Sequence, residues 1–233
     1  MYELRHLRAE LSAIAAAVLA APFGRVFCED TLDDPEARGV PVVFVHGLFG
    51  SRVHFSALRT SLQVHGIRRF ATFCYRPRFD YQALAEELGG FIDGLCDRTG
   101  EPAVDVVGHS LGGLVSRFLV ENRGRRRVPR LLTLGSPYYG GRFPACEPPI
   151  FAASDLLVSP PVTKAARRWI VVPNCGHLSL LYRPAVHRRI AAYLHDRRTC
   201  TANHLPRGCG LRRVPAAPLR TSISPPPGGT GDP

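Results

Sequence analysis

The stretch V104-D-V-V-G-H-S-L-G-G-L-V-S-R-F-L-V-E121 decides how the rest of the chain is read. Residues Ala103 to Val107 carry no glycine or proline and are mostly apolar or β-branched, which predicts a buried strand of a parallel sheet. Beyond Ser110 the period changes. Leu111, Leu114, Val115, Phe118 and Leu119 recur at helical spacing and form one apolar stripe. Ser110 therefore falls between the carboxyl end of a strand and the first turn of a helix, where backbone N–H groups lack internal partners and the helix dipole favours negative charge. Gly108 and Gly112 flank it at two residues either side and leave the room that so tight a turn demands. The string G-H-S-L-G has the G-x-S-x-G form that holds a serine hydroxyl out at a sheet edge.

A serine hydroxyl is a weak nucleophile at neutral pH, so such a site requires a base and a group that orients the base. Of nine histidines, eight lie beside arginines, on helix faces or in the tail. His177, in P-N-C-G-H-L-S-L-L-Y, follows an apolar run and precedes a helical pattern, which predicts the same sheet edge as Ser110. If serine, acid and histidine follow in that order, the acid is Glu121, Glu147 or Asp155, the only carboxylates between Ser110 and His177. Glu121 lies on a helix, and Glu147 lies in a Pro-rich loop with no required partner. Asp155, after the short apolar run of I-F-A-A-S-D, is the expected acid. An anionic intermediate also needs two preorganised amides. V42-V-F-V-H-G-L-F-G-S51 supplies the loop, with the Leu48 amide expected first and Phe49 second, and Leu111 supplies the other.

Apolar runs and helical patterns alternate outward from this centre. Strands are expected at 40–45, 70–75, 103–107, 128–134, 149–153 and 169–172. Helices are expected at 52–64, 81–96, 111–122 and 178–195. That alternation predicts a mostly parallel sheet with helices on both faces, whose ligands bind outside the carboxyl ends of the strands.

Read in order, V-H-G-L-F-G-S, V-D-V-V-G-H-S-L-G-G-L-V-S-R, L-L-T-L-G-S-P-Y-Y-G, A-S-D-L-L-V-S-P and C-G-H-L-S-L-L-Y resemble the α/β-hydrolase superfamily, and within it the small bacterial lipases and esterases. The resemblance runs from about Pro41 to Leu194 and implies an α/β-hydrolase fold. It also implies hydrolysis of carboxylic (acyl or lipid) esters through an acyl-enzyme. Ser110, Asp155 and His177 take the triad positions, and the Leu48 and Leu111 amides the oxyanion positions. Acyl transfer or thioester cleavage on the same fold is the alternative, and a non-catalytic membrane- or protein-binding descendant is a third reading. Relatives usually carry a longer segment before the acid than the 18 residues from Pro137 to Ser154, so a minimal or absent lid is expected.

The 233 residues suit one sizeable core, and the net charge of +11 is almost all arginine, Lys164 being the single lysine. Those arginines are scattered and lack an aromatic stacking platform, which disfavours nucleic acid and leaves an anionic membrane surface open. Residues 1–39 are expected to be an amphipathic helix and linker, the helix packed on the domain or touching a membrane, with a signal sequence second. Residues 40–195 form the hydrolase domain, and 196–233 a disordered basic Pro/Gly-rich tail. A cytoplasmic or membrane-associated chain is favoured over a secreted one. The seven cysteines contain no C-x-x-C, most suit small core positions, and a Cys200–Cys209 disulfide requires export. No cofactor or metal is expected, since Cys200, His204 and Cys209 make a poor zinc set. The expected partner is a small acyl ester or lipid.

Overall fold

The computed structural model describes Leu32, Asp34 and residues 36–138, 147–159 and 169–196. The helix expected over 1–24, the tail after Asp196 and part of the short segment before the acid, 139–146, lie outside them.

Six strands form one sheet: β1 (Val42–Val45), β2 (Phe70–Phe73), β3 (Asp105–His109), β4 (Arg130–Leu134), β5 (Pro149–Ala152) and β6 (Ile170–Val172), in the order β2-β1-β3-β4-β5-β6. All five pairings are parallel. Helices α1 (Ser56–Val64), α2 (Tyr81–Thr99), α3 (Leu111–Arg123) and α4 (Pro184–His195) connect or follow the strands. The apolar runs read as strands because both of their faces are covered. Along β1, Val42 and Phe44 face a core shared with Leu58 and Leu62 of α1 and Val186 and Ile190 of α4. Val43 and Val45 face the other way, toward Leu84 and Leu88 of α2 and Val115 of α3. Each such side chain, fully buried, is stabilised by about 1.5–3 kcal/mol relative to exposure. Phe44 stacks on Phe55 with ring centroids 4.8 Å apart and lies 5.5 Å from Phe70, so the three rings fill the space under α1.

Element ends follow local chemistry. Asp80 caps α2 by accepting the Ala83 N–H at 3.0 Å, and Gly100, at φ +70°, ends it. Two expected helices are each divided. Arg52–Phe55 is a 3₁₀ turn that runs into α1, and Ser179–Tyr182 is another, separated from α4 by Arg183. Pro184 causes the second break, because it has no N–H to donate and holds Arg183 extended at φ −83°, ψ 117°. At the amino edge of the sheet, Arg130 donates Nε–H to Asp105 Oδ1 at 2.7 Å, a second N–H to Asp105 Oδ2, and a third to the Leu194 carbonyl. One buried guanidinium thereby joins β3, β4 and the end of α4. Cys96 and Cys175 are buried thiols within the two cores, and Cys74 is disulfide-bonded. No helix among the described residues is long and apolar enough to cross a membrane.

Candidate active site

Ser110 has φ +53° and ψ −125° between the end of β3 and the start of α3. A non-glycine residue rarely adopts that backbone, and here its surroundings enforce it. A Cβ on Gly112 would lie 2.2 Å from the Val45 carbonyl oxygen, and one on Gly108 2.5 Å from the Gly113 Cα. The two glycines expected to flank the serine are therefore required by close backbone approach. Ser110 N–H donates to the Leu134 carbonyl at 2.9 Å, which ties the turn to β4.

The loop after β1 lies directly against this turn. A Cβ on Gly47 would stand 2.9 Å from Ser110 Cβ, so only glycine lets the loop approach the hydroxyl this closely. Leu48 and Leu111, expected to supply the amides, both line the cavity in front of Ser110. The Leu111 N–H opens α3 and has no preceding turn to accept it. Phe49 sits at φ +59° and is 68% exposed.

His177 and Asp155 meet after the last two strands. His177 Nδ1 is 2.7 Å from Asp155 Oδ2, and the carboxylate's other oxygen accepts the Leu157 and Val158 amides, each at 2.8 Å. Both side chains are buried, with that of Asp155 fully so. A carboxylate only accepts, so Nδ1 carries the proton and the Nε2 lone pair is free to act as a base. Gly135 makes this packing possible: it has φ +52°, and a Cβ there would stand 3.2 Å from His177 Nδ1 and 3.3 Å from Asp155 Oδ2.

Of the three carboxylates considered from sequence, Asp155 is the one beside His177. The expectation that Glu147 has no required partner is corrected. Pairing of Thr133 with Pro149 folds the residues before β5 against the end of β4. Glu147 is buried there, accepting from Thr133 Oγ1 at 2.6 Å and from the Tyr138 hydroxyl. Burial raises its carboxyl above the ordinary glutamate value. Arg117 closes the cluster, stacked 3.7 Å above the Tyr138 ring and donating to the Pro137 carbonyl at 2.7 Å.

Ser110 and His177 open on one cavity of about 640 Å³, within the range of small-molecule sites. Its walls are chiefly apolar, including Phe55, Leu114 and Leu181, and Phe79 and Leu157 at its edge are exposed. Three further histidines line it: His46, His54 and His109. Sequence reasoning passed over them, although His109 adjoins Ser110 and His46 lies in the loop read as the source of the Leu48 amide. Burial holds His46 down at about 4, its ring stacked 4.3 Å from that of Tyr75. His109 is held well below the ordinary histidine value, first by burial and then by the neighbouring His177. Among the described residues no group of His, Cys, Asp and Glu side chains is arranged to hold a metal ion.

Comparison with known proteins agrees with this architecture. The chain is 28% identical over 148 residues to a triacylglycerol lipase of Burkholderia plantarii, a match covering 58% of this chain and 41% of that protein. It is 29% identical over 119 residues to a triacylglycerol lipase of Pseudarthrobacter phenanthrenivorans, covering 48% and 37%. The matches thus span less than half the length of these relatives. Among solved structures, Est1E from Butyrivibrio proteoclasticus superposes with a TM-score of 0.56 at 13% identity, covering 70% of this chain and 91% of that one, a likeness of fold. A model of the alpha/beta hydrolase family matches residues 42–226. With the parallel sheet and the serine turn at its carboxyl edge, that match means that the chain belongs to the alpha/beta hydrolase family.

Proposed function

We propose that the protein hydrolyses carboxylic esters with an apolar acyl group through a covalent acyl-enzyme. One observation carries the reading: the strained Ser110 turn opens on the same apolar cavity as a buried histidine whose Nδ1 is held by a carboxylate at 2.7 Å. In this reading Ser110 Oγ attacks the ester carbonyl while His177 Nε2 takes its proton. The Leu48 and Leu111 amides receive the oxyanion, and Asp155 stabilises the imidazolium. His177 then protonates the leaving alcohol, and a water molecule, deprotonated by the same histidine, attacks the acyl-serine; the acid is released as His177 returns that proton to Ser110 Oγ. The apolar walls favour an acyl chain over a charged one.

A fluorophosphonate probe is expected to label the native protein and leave Ser110→Ala unlabelled, with p-nitrophenyl esters from acetate to palmitate hydrolysed by the native protein alone. Equal labelling of both proteins removes Ser110 from the mechanism. Labelling without turnover of any ester, together with product formation when an alcohol or thiol acceptor is added, would redirect the reading to acyl transfer.

A further inference from the structure

His109 ends β3 and immediately precedes Ser110, yet its side chain serves neither core. It is 4% exposed and lies across the carboxyl edge of the sheet. Nε2 is 3.2 Å from the His177 backbone carbonyl, and the two imidazoles pack with centroids 4.7 Å apart. On its other side, Nδ1 faces the loop after β1, where a Cβ on Gly47 would stand 3.3 Å away. One ring therefore abuts the histidine loop and the Gly47 loop while its backbone continues into the serine.

The bond to His177 has a single sense. A carbonyl oxygen only accepts, so His109 Nε2 carries the hydrogen. Burial keeps the ring neutral, so it opposes no positive charge forming on His177.

His177 needs such a support. It follows a strand of three residues, β6, that pairs with β5 at the end of the sheet order, and Asn174, between β6 and His177, is at φ +52°. Asp155 holds the His177 ring by one nitrogen, and the Ser154 N–H donates to the Cys175 carbonyl at 2.9 Å; neither bond ties His177 to the strand that carries Ser110. Proton transfer works over heavy-atom separations of about 2.6–3.2 Å, and a displacement of about 1 Å costs on the order of 100-fold in rate.

We propose that His109 is a positioning residue that, through its hydrogen bond to the His177 carbonyl, fixes the distance between His177 Nε2 and Ser110 Oγ. The proposal rests on the ester-hydrolase reading above.

The test compares three variants of the full chain with the native protein. His109→Gln keeps an N–H donor of similar reach, His109→Asn has one too short to reach the carbonyl, and His109→Phe keeps the ring without a donor. kcat and KM for soluble p-nitrophenyl butyrate, the rate of fluorophosphonate labelling and Tm are measured for each. His109→Asn and His109→Phe are expected to lose about 10- to 100-fold in kcat and in labelling rate, with KM within about threefold of native. His109→Gln is expected to recover most of the loss. Equal kcat for His109→Gln and His109→Asn overturns the proposal, as does a loss confined to KM or one that tracks the folded fraction. Should His109→Phe fail to fold, the two amides, which differ by one methylene, decide. A native protein that neither labels nor turns over ester refutes the hydrolase reading itself, and the proposal with it.

Discussion

Asp155 does two jobs with two oxygens. Oδ1 takes the Leu157 and Val158 amides and shapes the turn, while Oδ2 meets His177. An amide in its place can still accept those two N–H groups and cannot stabilise an imidazolium. Asp155→Asn is therefore expected to lower kcat by up to about 10⁴-fold, as in serine proteases, with Tm nearly unchanged. A mutant that retains kcat would refute the assignment of Asp155. Gly135 supports the same pair from below. Gly135→Ala places a methyl 3.2 Å from His177 Nδ1 at φ +52°, where a side chain costs about 1–2 kcal/mol. Both kcat and Tm are expected to fall, kcat by more than tenfold; native kinetics would mean that the pair tolerates displacement. Much of this site was legible as sequence, because Ser110 and His177 sit where a period changes, and a change of period marks a sheet edge. His46, His54 and His109 were not legible. Their convergence depends on how the segment after β1, which carries His46 and His54, folds against the carboxyl end of β3, which carries His109, and spacing along the chain does not encode it. Glu147 was misread for the same reason: its partners, Thr133 and Tyr138, come from a different strand end.

Among the elements, glycines separate what the fold requires from what it merely tolerates. In α3, Gly112 meets the Val45 carbonyl at 2.2 Å from an added Cβ, and backbone cannot yield. In α2, Gly90 meets nothing within 4 Å. Gly112→Ala is expected to prevent folding or to lower Tm steeply. Gly90→Ala should stabilise by about 0.5–1 kcal/mol, as the chain loses entropy only in its unfolded state, which raises Tm by about 1–4 °C for a chain of this size. Paired melting curves check both, and equal effects would contradict the contact geometry. The order of strands and helices was readable because apolar runs and helical stripes differ in period. The internal breaks were not. Leu180, Leu181, Val186, Ile190 and Leu194 all join one core, so the apolar stripe runs straight through Pro184. Periodicity reports which face is buried, and it is silent on whether the backbone between two buried turns is continuous.

Across the whole molecule, buried titratable groups set the response to acid. His46, His109 and His187 all have folded values below the ordinary 6.5, His46 at about 4, each chiefly because burial penalises the charged ring. A depressed folded value means that the unfolded chain binds protons first, so their contribution to stability is present above about 6.5 and is lost as pH falls toward 4. For His46 alone the shift corresponds to about 3 kcal/mol. Glu147 works in the opposite sense, its raised carboxyl value favouring the folded state at low pH. Tm is expected to decline steadily between about pH 6.5 and 4, and a flat Tm across that window would show that these rings are hydrated. Stability and chemistry also occupy opposite ends of the sheet. Arg130→Ala, which removes the guanidinium held against the buried Asp105 carboxylate at the amino edge, should cost about 3–5 kcal/mol while kcat per folded molecule stays native. A proportionate loss of kcat would show that the two edges communicate. The parallel sheet carries a further consequence, for the order of events in refolding. Parallel strands cannot be seeded by a hairpin, and each pairing waits for an intervening crossover to close. β3 must find β1, joining Asp105 to Val42, and also β4, joining it to Arg130, before the Ser110 turn is gripped from both sides. In a jump from urea to buffer, the far-ultraviolet signal of α2 and α3 will therefore recover first, and the capacity of Ser110 to react with a fluorophosphonate will be among the last properties to return.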